Sequence, residues 1–188
     1  MTILGVLLTS FFANNVALTG YGLKTSKELG SFKGKHSWIL FCLYFIEALL
    51  LGGVALLLRG KTGVIKYLAI LIFVLIMAVC TGLFYLLNEK CFKEDVRAEM
   101  KDNFYLVAIN SSLLAIATSL FTFSSEVSNT VAICSLFFLP IGYLLSSYVF
   151  SALYDRVNTP DAPKGFRGMP LLLLCVAGLC LGITMLSF

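Results

Sequence analysis

Charge is scarce in this sequence, and the scarcity sets the first limits. Only 13% of the 188 residues are Asp, Glu, Lys or Arg, while 59% are apolar and the mean hydropathy is +0.94. Globular soluble domains carry about 25% charged residues, because their surface must face water. Local chemical signatures are missing as well. There is no CxxC pair, no Cys/His cluster, no phosphate-binding glycine loop, no dinucleotide fingerprint and no nucleophile–base pair. These absences argue against a self-contained hydrolase or nucleotide enzyme and against a cysteine metal site within the chain. Of Cys42, Cys80, Cys91, Cys134, Cys175 and Cys180, five lie in apolar stretches and read as small hydrophobes. The net charge of +4 is modest, and in an apolar chain basic residues record orientation, so nucleic acid is not an expected partner. The first residues lack a basic n-region and a small-residue cleavage site, and read as a retained helix rather than a signal peptide.

What the sequence has in plenty is long apolar runs. A helix needs about 20 apolar residues to cross a hydrocarbon core of about 30 Å. The runs predict six such helices, at about Ile3–Thr19, Ser37–Leu58, Val64–Leu87, Phe104–Phe123, Thr130–Leu153 and Met169–Phe188. They make an all-α membrane protein, a single transmembrane domain over 1–188, with little outside the bilayer. Polar segments separate them. Gly20–His36 carries four lysines, Asn88–Asn103 is the most charged stretch and suits a short surface helix, and Asp155–Gly168 is a loop marked by Pro160 and Pro163. Trp38 and Tyr44 fall near the start of the second span.

Orientation follows from the side on which Lys and Arg accumulate. The loops after spans one, three and five share a side and hold 11: Lys24, Lys27, Lys33, Lys35, Lys90, Lys93, Arg97, Lys101, Arg156, Lys164 and Arg167. The other side holds 3, Arg59, Lys61 and Lys66. The positive-inside rule puts the richer side in the cytoplasm and both termini outside.

The halves of the chain share a feature. Ala13-Asn14-Asn15-Val16-Ala17-Leu18 in span one matches Ala108-Ile109-Asn110-Ser111-Ser112-Leu113 in span four at three of six positions. Each lies in the first helix of a set of three, and an odd set reverses the sense of crossing in the next. That is the layout of an inverted repeat, about 1–88 and about 103–188, with helices one and four interrupted. Asn14, Asn15, Asn110, Ser111 and Ser112 would then meet near the midplane, where broken backbone is tolerated if protein covers it. Ordinary helix–helix hydrogen bonds are the alternative reading.

One charge sits mid-span. Glu47 lies in Leu43-Tyr44-Phe45-Ile46-Glu47-Ala48-Leu49, where an ionised carboxylate costs roughly 2.5 kcal/mol or more. It reads either as a proton or cation site or as a neutral or hydrogen-bonded glutamate between helices. His36, beside lysines at a membrane boundary, and Glu126, in a short outer loop, read as solvated. The sixteen Phe and eight Tyr are explained by packing, with a stacking platform for a quinone or flavin as the alternative.

The segment Phe150-Ser151-Ala152-Leu153-Tyr154-Asp155-Arg156, followed by Asp161-Ala162-Pro163-Lys164-Gly165-Phe166-Arg167-Gly168 and a final Leu- and Gly-rich helix, resembles the Rnf/Nqr family of membrane subunits, in its RnfA/NqrE branch. The loop residues Pro163, Phe166, Arg167 and Gly168 carry most of that likeness. Asn14-Asn15-Val16-Ala17-Leu18 with Gly22-Leu23 resembles the family's Asn-Asn-Phe-Val-Leu and Gly-Leu, and Asn110 fits the Asn of its Thr-Thr-Asn-Cys. The resemblance implies a subunit of an ion-translocating electron-transport complex in the cytoplasmic (inner) membrane of a bacterium or archaeon. It would pair with a homologous six-helix subunit of opposite topology and work beside other electron-transport subunits. In the family, cysteines after the Gly-Leu and the Thr-Thr-Asn hold a two-iron, two-sulfur cluster shared with the partner. Here those positions are Lys24 and Ser111, neither an expected ligand of a cluster held by thiolates. The chain is therefore expected to bind no cofactor alone, with any flavin, quinone or iron–sulfur cluster in partner subunits. The other function consistent with the residues is a small inverted-repeat transporter of an ion or small solute.

Overall fold

A helix that is apolar on every side has nowhere to lie in water, so it is either buried in protein or immersed in lipid. The computed structural model, which describes residues 37–61, 63–103, 107, 110–122, 127–157, 170–171, 174–175 and 177–178, is built from such helices, with no strand among the described residues. In chain order they are α1 (Ser37–Leu58), α2 (Val64–Cys91), α3 (Glu94–Asn103), α4 (Ser111–Phe121) and α5 (Asn129–Val157). Pro170, Leu171, Leu174, Cys175, Ala177 and Gly178 are helical too. Three stretches are long and apolar enough to cross a membrane, Trp38–Leu58, Tyr67–Lys90 and Asn129–Leu153, and Ser111–Phe121 is a shorter apolar helix. These fit a membrane protein. The expected first span, and most of the sixth, lie outside the described residues.

Local chemistry sets the helix ends. After α1 the chain turns through Gly60 and Gly63, both at positive φ (75° and 72°), a conformation that costs an L side chain. α2 runs past the expected Leu87 to Cys91, so Asn88 falls within its last turn. Its last turn carries Lys90, favourable at the negative end of a helix dipole. Arg97 of α3 donates to the backbone carbonyls of Glu89 and Phe92, which satisfies acceptors that α2 cannot. The expected surface helix in the charged segment is α3.

α1 is the central helix and packs against α4, α2 and α5. Leu40, Tyr44, Glu47, Ala48, Leu51 and Ala55 are fully buried on it, at the three- and four-residue intervals of a single face. Against them lie Leu113, Ile116, Ala117 and Leu120 of α4 and Leu139 and Tyr143 of α5. Phe73 of α2 meets Phe121 of α4 edge-on, ring centroids 6.1 Å apart. Phe41 of α1 meets Tyr148 of α5 at 5.4 Å. α2 is the least covered: Tyr67, Leu71, Val74, Leu75, Val79 and Leu83 are all exposed, as suits a helix facing lipid.

Candidate functional site

The fourth span is not one helix. Val107 is helical, Asn110 is extended (φ −92°, ψ 111°), and the helix resumes at Ser111. The eleven residues of α4 reach only about 16 Å at 1.5 Å per residue, half a hydrocarbon core. A helix that begins inside an apolar bundle leaves backbone N–H groups needing acceptors. Asn110 supplies one: its Oδ1 accepts from the Ser112 backbone N–H at 3.1 Å, the usual N-cap bond.

The cap then extends into a side-chain chain across three helices. The Ser112 hydroxyl donates to Asn110 Oδ1 at 2.7 Å. The Tyr44 hydroxyl of α1 lies 2.9 Å from Ser112 Oγ. Since Ser112 has spent its one proton on Asn110, Tyr44 is the donor there. On the other side Asn110 Nδ2 donates to the Tyr143 hydroxyl of α5 at 3.3 Å. The rings of Tyr44 and Tyr143 stack, centroids 5.2 Å apart and 25° from parallel. Tyr44, Asn110, Ser112 and Tyr143 are all fully buried, and each polar group has a partner, as burial requires.

Glu47 lies one helical turn beyond Tyr44 on the same buried face of α1. It is ten residues from the start of α1 and eleven from its end. Its exposure is 0%, and neither carboxylate oxygen has a hydrogen-bond partner among the described residues. Cys80 of α2 is within electrostatic reach of it.

Of the residues expected at a midplane polar site, Asn110 and Ser112 come together. Ser111 does not: its side chain is exposed, because one residue along a helix rotates the side chain by about 100°. Asn14, Asn15, Lys24, Pro163, Phe166, Arg167 and Gly168 lie outside the described residues, as do His36 and Glu126. Sequence reasoning placed Tyr44 near the start of its span. It lies there, seven residues into α1, and is also fully buried at the centre of the cluster; its position three residues before Glu47 was the available signal. Tyr143 carried no such signal.

A family iron–sulfur cluster does not fit this donor set. The matching position in span four is Ser111, an exposed hydroxyl, and the side chains gathered beside it are amide and hydroxyl groups. Cys42, Cys80, Cys134 and Cys175 are separate free thiols on three helices and the final helical stretch. No protein-family model and no curated protein matches the chain. At the far end of the bundle, a cleft of about 410 Å³ opens between α1 and α5 beside Leu56, Arg59, Gly60, Asn129 and Ala132, away from the polar chain.

Proposed function

We propose that the chain is an integral membrane subunit of an ion-translocating electron-transport complex of the Rnf/Nqr kind, in the cytoplasmic membrane of a bacterium or archaeon, with both termini outside. It pairs with a homologous six-helix subunit of opposite topology and helps electrons pass through the membrane without binding a cofactor alone. Flavin, quinone or iron–sulfur centres belong to partner subunits. The observation that carries the reading is the half-length helix starting at a buried Asn110. It falls at the residue through which span four resembles the family, and where one arm of an inverted repeat has its interruption.

The test is purification of the tagged chain in mild detergent, with identification of co-purifying proteins, an absorption spectrum and metal analysis. The expected result is a related membrane subunit together with flavin- or quinone-linked proteins. Iron and acid-labile sulfide should be far below stoichiometric in the isolated subunit. A chain that purifies without such partners overturns the reading.

A second reading has its own observation. The buried, unbonded carboxylate of Glu47 beside a broken helix suits a small inverted-repeat carrier of an ion or solute. Ion or solute uptake by vesicles holding this chain alone would favour it.

A further inference from the structure

Glu47 takes no part in holding the broken helix, and it is the one fully buried acidic side chain among the described residues. It sits at the middle of α1, and both of its oxygens lack hydrogen-bond partners among the described residues. The titratable groups near it are Tyr44 on its own helix, Cys80 on α2 and, stacked on Tyr44, Tyr143 on α5. α4 brings only Asn110 and Ser112, which are committed to each other. No Lys or Arg among the described residues is hydrogen-bonded to it. A mid-membrane carboxylate without a cationic partner is costly while charged.

We propose that Glu47 is a reversible proton-binding site within the membrane. The carboxylate takes a proton from hydronium, forming one O–H bond and releasing water, and returns it by the reverse step. A proton needs a single oxygen. A hard metal cation needs a cage of several oxygens. The hydroxyls of Tyr44 and Ser112 and the Asn110 amide already serve one another, and no group of metal-ligating side chains occurs among the described residues. Tyr44 sets Glu47 one turn from the break at Asn110, so gain or loss of its charge falls at the joint between α1, α4 and α5. The inference rests on the reading of the chain as an ion-translocating subunit and names the ion and the residue that takes it.

The test uses the full-length chain in vesicles of phosphatidylethanolamine and phosphatidylglycerol, treated with a lipid-soluble carbodiimide. That reagent adds to the carboxylic acid form only, and mass spectrometry locates the adduct. The expected adduct is on Glu47, absent in Glu47→Gln, and unchanged when potassium is replaced by sodium. Its rate should fall about tenfold for each pH unit above the midpoint, as the protonated fraction of a single site does. Protection by sodium would overturn the proposal in favour of a metal-cation site. Labelling that ignores pH, or no labelling of Glu47 at any pH, would also overturn it. If Glu47→Gln does not fold, the pH and sodium arms on the unaltered chain decide alone. The result stands apart from co-purification: a chain without electron-transport partners can still label at Glu47, and a chain with them can fail to.

Discussion

Asn110 does three jobs with one amide. It caps α4, accepts from Ser112 and donates to Tyr143. Leucine has the same number of side-chain heavy atoms, branched at the same carbon, and makes none of these bonds. Loss of an N-cap costs about 1 kcal/mol, and each buried partner left unsatisfied costs about 1–3 kcal/mol more. Asn110→Leu should therefore lower the thermal midpoint of the detergent-solubilised protein by several degrees or prevent its accumulation. Ser111→Ala, one residue along and exposed, should change stability by no more than about 0.5 kcal/mol. Tyr143→Phe is the finer probe. It keeps the ring stacked on Tyr44 and removes the hydroxyl's hydrogen bonding to Asn110, at about 1 kcal/mol per bond. If Asn110→Leu and Ser111→Ala melt together, the cap is not what holds the break.

Among the elements, leucines of α5 and α4 fill the space beside a residue of α1 that has no side chain. A Cβ at Gly52 would run into Leu136 of α5 and come within 2.8 Å of Leu120 Cδ1 of α4, whereas one at Gly53 meets nothing within 4 Å. Gly52→Leu should destabilise by about 1–3 kcal/mol through overpacking. Gly53→Leu should be neutral or stabilising, since glycine in a helix interior costs about 1 kcal/mol relative to a good helix former. The pair, compared by thermal stability in one detergent, tests whether α1 lies against α4 and α5 in this rotation. In the turn between α1 and α2, Gly60 (φ +75°) should resist alanine at a cost of about 1–2 kcal/mol.

These elements were legible to very different degrees. The bounds of α1 follow from apolar length, and agree with the expected Ser37–Leu58. Asn110 stood out because an amide in an apolar run is costly unless it has work to do. Which neighbours it would meet could not be read. Tyr143 is 33 residues away, and α5 is apolar enough on all sides that its pattern does not say which face turns inward. Nor could the pattern separate Ser111 from Ser112, since both are small polar residues and only the start of the helix fixes their directions.

On the scale of the whole molecule, the two ends of the bundle differ in charge. Arg59, at the end of α1, donates to the backbone carbonyl of Val127, just before α5. The α1–α2 turn and the start of α5 therefore lie together at one end, with Arg59 and Lys61. Antiparallel passage along α2 and along α5 brings Lys90, Lys93, Arg97, Lys101 and Arg156 to the opposite end. Short loops rich in Lys and Arg stay in the cytoplasm, so on the proposed reading the α2–α3 end is expected to face inward and the Arg59 end outward. A reporter inserted after Lys61 should read external, and one fused after Lys93 cytoplasmic. With six spans, a reporter after Phe188 reads external as well. Each site tests a separate step: Lys61 and Lys93 check that α2 crosses, and Phe188 checks that an odd number of crossings follows Lys93. External signal after Lys93 would reverse the orientation. A cytoplasmic signal after Phe188, with the other two as expected, would leave the described helices in place and remove the six-span reading on which the likeness to an inverted repeat depends.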